Sequence, residues 1–220
     1  MKVVAFVPIK LNNERLPGKN TKPFTGGEPL ISYILRTLLN VRNIDEIYVY
    51  CSDEKICQYL PEKIRFLKRD PYLDLSSTPF NEVLYSFAKL VPADIYLLTH
   101  ATAPFMSAES MEKGIEKIIS GEHDSALSVV RMQEFLWKDG KPMNYDPLHI
   151  PRTQDLPPIY KETCGLYVYN QRLMIEEKRR VGDNPFLIEV SDIEACDINT
   201  GDDFLIADAI FQMLKSGNHI

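Results

Sequence analysis

The feature that most constrains the fold is an alternation along the chain. Short β-branched apolar runs take turns with segments whose apolar residues recur every three to four positions. Residues 2–8 read as a buried strand, and Pro29–Leu39 as an amphipathic helix with proline in its first turn. Glu46–Cys51 is the next strand, Ser52 and Asp53 offer a cap for a short helix to about Leu60, and Ile64–Lys68 is a third strand. Thr78 as cap, with Pro79 at the first helical position, opens a helix through about Leu90. Asp94–Leu98 is a central strand, Ser107 caps a helix to about Ser120, and Asp124–Val130 returns as a strand. Strand character resumes at Gly165–Tyr169 and Phe186–Val190, and Gly201–Lys215 is a closing helix. Its entry, Thr200-Gly201-Asp202-Asp203, matches a capping box with Asp in place of Glu. Such alternation predicts an α/β fold, a mostly parallel sheet covered by helices on both faces.

One stretch breaks the rhythm. From Gln133 to Tyr160, five prolines interrupt any period, and Phe135, Trp137 and Tyr145 lie among polar residues. We read 133–160 as an excursion within a single domain of residues 1–220. The net charge of −6 argues against a general nucleic-acid surface, which needs a basic face. No apolar run reaches membrane-spanning length and the chain starts as a strand, so the expected setting is the cytoplasm, with no membrane partner. Cys51, Cys57, Cys164 and Cys196 show no paired short spacing and are expected to be reduced, mostly buried thiols.

The chemistry concentrates at two places. After the first strand, residues Lys10 to Lys22 form a polar loop carrying Lys10, Arg15, Lys19 and Lys22. Ligands of open α/β sheets bind beyond the carboxyl ends of strands, so this strand, basic loop and helix have the layout of a phosphate site. The glycine spacings of P-loops and dinucleotide-binding turns are absent. Before the last helix, alternation along Asp197-Ile198-Asn199 puts two oxygen-bearing side chains on one edge and Ile198 on the other. That edge suits Mg²⁺, which needs few protein ligands. Asp202 and Asp203 read as caps; Lys178-Arg179-Arg180 reads as a solvated run, the alternative being a grip on an anionic acceptor.

The run Val7-Pro8-Ile9-Lys10-Leu11-Asn12-Asn13-Glu14-Arg15-Leu16-Pro17-Gly18-Lys19-Asn20 resembles the signature loop of the acylneuraminate cytidylyltransferase family, in which a strand leads into Pro-Ala-Arg and then Pro-x-Lys-Asn. Cys196–Asp203 is similar to that family's Asp-Ile-Asp-Thr-Pro-Glu-Asp stretch, with Asp197 and Asn199 on its two metal-holding aspartates. Arg69 in Lys68-Arg69-Asp70-Pro71 resembles an arginine that helps hold the nucleotide. Leu97–Phe105 resembles the Leu-Leu-Gln-Pro-Thr-Ser-Pro-Leu loop, with His100 on the glutamine and Thr102 on the threonine. Pro151–Pro157, containing Arg152, resembles Pro-Arg-Gln-x-Leu-Pro, and Tyr160–Tyr167 resembles the small-residue strand that enters the sugar pocket.

The resemblance runs from Val4 to about Ala209 in the family's order. It implies a Rossmann-like doubly wound sheet, CTP as nucleotide with Mg²⁺ as cofactor, and a homodimer in which each excursion reaches the partner's site. It further implies transfer of CMP from CTP to the anomeric hydroxyl of an acidic 2-keto sugar, releasing pyrophosphate. The acceptor is read as a sialic acid-like nonulosonate, with an eight-carbon keto acid as the alternative and a nucleotide-binding regulator as the rival outside enzymes. On this reading Lys10, Lys19 and Asp197 are catalytic. Lys10, Asn12, Asn13, Lys19, Asn20 and Arg69 bind the nucleotide; His100, Thr102, Arg152, Lys161 and Gly165 face the acceptor; Asp197 and Asn199 hold the metal. No protein general base is evident; a metal-bound hydroxide and His100 are the candidates. The chain departs from the family at Lys10, which lacks the arginine fork, at Glu14-Arg15 in place of Lys-Gly, and at Asn199, which lacks a charge.

Overall fold

The computed structural model describes residues 1–217. Its elements are β1 (Val3–Ile9), α1 (Leu30–Asn40), β2 (Glu46–Cys51), β3 (Arg65–Lys68), α2 (Phe80–Leu90), β4 (Ile95–Thr99), α3 (Ala108–Ile119) and β5 (Ser125–Met132). A small hairpin follows, β6 (Trp137–Lys138) and β7 (Lys141–Pro142), then β8 (Ile159–Asn170), α4 (Gln171–Ile175), β9 (Pro185–Glu189) and α5 (Gly201–Lys215). Seven strands form one sheet in the order β3-β2-β1-β4-β8-β5-β9. Every pairing is parallel except the two made by β8.

Alternation on β1 sorts the core into two layers. Val3, Ala5, Val7 and Ile9 pack against Ile31 and Leu35 of α1 and Met111 and Ile115 of α3. Val4 and Phe6 face Val83, Leu84 and Phe87 of α2, with the Phe6 and Phe87 rings stacked at 4.0 Å. Burial on both faces is what the continuous apolar run of β1 requires. A third, smaller cluster joins Phe24 and Leu30 to Ile198, Phe204 and Ala207, clamping the loop after β1 onto α5.

Several expectations are corrected. Pro79 is the N-cap of α2 with extended ψ of 136, and the Thr78 hydroxyl donates to the Tyr72 carbonyl at 2.8 Å instead of capping. The segment after Asp53 is a 3₁₀ helix, Glu54–Tyr59. β8 begins at Ile159, inside the stretch read as excursion, because Ile159–Glu162 pair with Val129–Met132 before a bulge interrupts the ladder. Cys164 sits in that bulge with φ 60, and the Ser128 hydroxyl stitches it by accepting from Leu166 N at 3.0 Å and bonding Thr163 Oγ1 at 2.6 Å. All four cysteines are free, yet of these only Cys51 is buried; Cys57 and Cys164 are exposed. The Ser107 cap and the Thr200–Asp203 capping box form as read.

Candidate active site

The carboxyl ends of β1 and β4 diverge toward opposite halves of the sheet, and a cleft of about 490 Å³ opens between the loops that follow them. Lys10, Arg15 and Lys19 enter it from the first loop, His100 and Thr102 from the second, and Asp197 and Asn199 from the segment before α5. Ile198 ties the three together. Its N–H donates to the Thr102 carbonyl at 2.9 Å, its own carbonyl accepts from Lys19 Nζ at 2.9 Å, and its side chain is fully buried. Burying Ile198 turns its two neighbours into the cleft, as the alternation required.

Three cations in one cleft repel each other, and the local bonding shows how they are held. Burial pulls the Lys19 ammonium below its ordinary range, and the nearby Asp197 carboxylate opposes that fall. Lys10 Nζ donates to the Asp74 carbonyl at 3.3 Å. Arg15 Nη2 donates to Asn199 Oδ1 at 2.9 Å, and Asn199 Nδ2 donates to Asp197 Oδ2 at 2.6 Å, so one amide bridges a cation and a carboxylate. Asp203 fixes the backbone beneath. Burial alone would raise its pKa, but N–H bonds from Asn199 at 2.9 Å and Thr200 at 2.8 Å hold it below the usual range.

His100 lies against Phe80, ring centroids 5.6 Å apart. Burial, reinforced by the charges of Arg180 and Lys19, pushes its pKa down to about 3. The imidazole is therefore neutral at physiological pH and too weakly basic to take a proton from a sugar hydroxyl. That argues against the His100 candidate for general base.

The remaining expected residues separate. Asn13 lines the cleft, whereas Asn12 is exposed outside it. Asn20 also lines it, but buried, its amide donating to the Lys10 carbonyl at 3.0 Å, which makes it a brace of the loop. Arg69 lines an adjoining hollow of about 260 Å³ that shares Lys10 and Phe80 with the cleft. It is 4% exposed, donates to the Ile9 carbonyl at 2.9 Å and pairs with Asp74, while its Nε is buried without a partner.

Three acceptor-side residues do not line the cleft of their own chain. Arg152 is exposed and forks onto Asp155 at 2.8 and 3.0 Å, an i,i+3 contact its own turn supplies. Lys161 is exposed on β8. Gly165 is buried backbone: its carbonyl accepts from Thr99 Oγ1 at 2.7 Å, and a Cβ there would fall 2.6 Å from Met106 Cε. Conversely, Arg15, which the sequence does not single out as a binder, belongs to the cleft. Its place in the basic loop was the available signal, but nothing in the sequence says which cations of a loop turn inward. A hollow of about 420 Å³ at the opposite end of the strands is lined by Asp94, Glu122 and Asp124 and would repel a polyanion.

Comparison with known proteins decides the family: the model described as cytidylyltransferase matches residues 4–205. The chain belongs to the cytidylyltransferase family. The N-acylneuraminate cytidylyltransferase of Oncorhynchus mykiss is 26% identical over 181 residues, 77% of this chain but 41% of the fish protein. The CMP-N,N'-diacetyllegionaminic acid synthase of Legionella pneumophila is 23% identical over 97% of both chains. Among solved structures, a CMP:2-keto-3-deoxy-manno-octonic acid synthetase complexed with CTP superposes with TM-score 0.71 at 16% identity, covering 97% of this chain and 100% of that one. This likeness shows the Rossmann-like fold expected of a cytidylyltransferase, and the cleft described above opens at its topological switch point.

Proposed function

We propose that this cytidylyltransferase uses CTP to convert an acidic 2-keto sugar of the sialic acid-like nonulosonate class into its CMP conjugate. The observation that carries the reading is the convergence of Lys10, Arg15 and Lys19 on the Asp197–Asn199 pair at the switch point of the sheet. In the reaction the anomeric hydroxyl oxygen attacks the α-phosphorus and gives up its proton to water, the bond from that phosphorus to the bridging oxygen of the β-phosphate breaks, and pyrophosphate leaves. Phosphoryl chemistry of this kind asks the protein chiefly for positioning and charge neutralisation. Lys10, Arg15 and Lys19 supply both for the triphosphate, and the hollow beneath Lys10, with the unpartnered Nε of buried Arg69, suits the acceptor atoms of a pyrimidine.

Mg²⁺ fits the residues present. Asp197 is the single carboxylate that lines the cleft, and no cluster of three or more ligating His, Cys, Asp or Glu occurs among the described residues. A cation that takes one or two carboxylates and completes its shell with water and phosphate oxygens suits that set. Asp197 would hold it, with Asn199 turning its amide oxygen from Arg15 to join; when bound, the ion supplies charge neutralisation and Lewis acidity at the phosphates.

The reading includes a homodimer. The excursion is braced within itself, Gln133 Nε2 donating to the Gln154 and Leu156 carbonyls at 3.1 and 2.7 Å, yet it leaves Trp137, Leu148 and Ile150 exposed. A second subunit that covers them would also bring Arg152 to a neighbouring cleft. A cytoplasmic setting, where CTP is available, accords with free thiols; no described helix is long and apolar enough to cross a membrane.

Pyrophosphate release with each of CTP, ATP, GTP and UTP, against N-acetylneuraminate, N,N'-diacetyllegionaminate, pseudaminate and 3-deoxy-manno-octulosonate, tests the whole reading. We expect CTP and a nine-carbon acid to be used, with a product of the CMP-sugar mass. No turnover with any pair would sink the assignment.

A further inference from the structure

The cationic run after α4 does not behave as one solvated patch. Lys178 lays its ammonium 5.0 Å from the centroid of Tyr85. Arg179 turns outward onto Glu177 and onto Asp183, the latter at 2.8 and 2.9 Å. Arg180 folds inward. Its guanidinium carbon lies 3.6 Å from the Tyr167 ring centroid and 5.6 Å from that of Phe80, and its side chain is 22% exposed. Nη2 donates to Tyr167 Oη at 2.9 Å and to Glu162 Oε1 at 3.2 Å, and Tyr167 Oη donates to the same carboxylate oxygen.

The loop that delivers this cation is fixed from several sides. Asp124 Oδ2 accepts from Asp183 N at 2.9 Å and Asn184 N at 3.0 Å, Ser125 Oγ accepts from Gly182 N at 2.8 Å, and Arg179 N donates to the Leu173 carbonyl at 3.1 Å. A guanidinium held by a ring on its face and a pinned backbone beneath it loses little freedom on binding a ligand.

Arg180 does not line the cleft itself but packs behind the part of it formed by Phe80, His100 and Cys164. It overlies Phe80, and its charge is the leading electrostatic influence on His100, ahead of Lys19. Lys10, Arg15 and Lys19 belong to the loop assigned to the triphosphate, and Arg152 is paired with Asp155, whereas Arg180 packs on Phe80, a residue that lines the cleft. Resting on the cytidylyltransferase reading, the geometry points to Arg180 as a specificity-determining residue that receives the carboxylate of the acidic acceptor. The Arg180 contacts run through Nη2, and the half-exposed Glu162 is the anion that an acceptor would displace, freeing the Nε–Nη2 edge for a bidentate carboxylate.

The test compares an acid with its methyl ester. Wild-type protein is assayed with CTP and the four keto-sugar acids named above; turnover of none overturns the cytidylyltransferase reading and this proposal with it. For an acid that is used, wild type should prefer it to its ester by about 10- to 100-fold in kcat/KM, the scale of a charge-assisted hydrogen bond. R180Q should lose that preference, with the KM for CTP unchanged. An acid-to-ester ratio equal to wild type, or equal losses toward CTP and acceptor, overturns the proposal. If R180Q does not fold, R180K carries the same comparison: a reduced ratio supports carboxylate recognition and an unchanged one refutes it.

Discussion

Asp197 holds the one negative charge that the cleft sets against three cations. Asp197→Ala should abolish turnover while the melting temperature stays near wild type, because the side chain lies at the cleft surface and supports no core packing. An active Asp197→Ala protein at ordinary Mg²⁺ would refute its role as metal ligand. Asn199→Asp should lower the Mg²⁺ concentration for half-maximal rate by adding a second charge, read from a metal titration of initial rates. His100 gives a prediction of the opposite kind. Its folded pKa of about 3 lies below the unfolded value near 6.5, so the unfolded chain binds the proton that the folded chain refuses. Its contribution to stability is thus fully present above pH 6.5 and lost as pH falls toward 3, with a slope of up to about 1.4 kcal/mol per pH unit. Urea unfolding at pH 7, 6 and 5 should show the loss, and His100→Gln should flatten it. At this scale the sequence spoke unevenly: the alternation of Asp197, Ile198 and Asn199 was readable, because an apolar residue between two polar ones must choose the core. Arg15 and Arg180 were not, because inward and outward turns of a flexible cation depend on partners distant in sequence, Asn199 for one and Tyr167 for the other.

Between elements, the connection from α4 to β9 shows how a loop becomes rigid. A Cβ on Gly182 would fall 2.3 Å from the Asp124 carboxylate, the group that receives the next two backbone N–H donors. Gly182→Ala should push that carboxylate away and cost about 1–3 kcal/mol, the scale of hydrogen bonds to a charged group. Chemical denaturation measures the loss; a variant as stable as wild type would show that the loop has another anchor. Element identity was legible where local chemistry suffices. Ser107 accepts from Ser110 N at 3.1 Å, and Thr200 with Asp203 closes both halves of its box, as the residue types alone require. β8 was only half legible. Its first four residues are Ile-Tyr-Lys-Glu, whose pairing with Val129–Met132 is a long-range choice that no short-range pattern records. The bulge at Cys164 hid the continuity further, since a non-glycine residue at φ 60 gives no warning in sequence.

For the molecule as a whole, the exposed apolar groups of the excursion carry the expectation of a dimer. Trp137 is 59% and Ile150 66% exposed, more apolar surface than a hairpin of two-residue strands stabilises alone. Light scattering should give twice the chain mass of 25.3 kDa, and Trp137→Asp should shift the population toward monomer. Wild-type monomer at working concentration with full activity would remove the shared-site part of the reading.

The antiparallel strand at the centre of the sheet has a consequence for how the chain is made. β4 and β5 do not pair with each other; both pair with β8, which is synthesised later. As the polypeptide leaves the ribosome, a four-strand parallel half-sheet can assemble from β3, β2, β1 and β4 while one side of β4 stays bare, and β5 waits without a neighbour. Synthesis of the intervening stretch lasts seconds, long on the scale of strand association. A nascent chain halted before residue 159 therefore leaves one edge of β4 unpaired. The parts of the cleft contributed by Cys164 and Asp197 come later still, so the folding intermediates that precede them carry the basic loop after β1 but not the finished cleft.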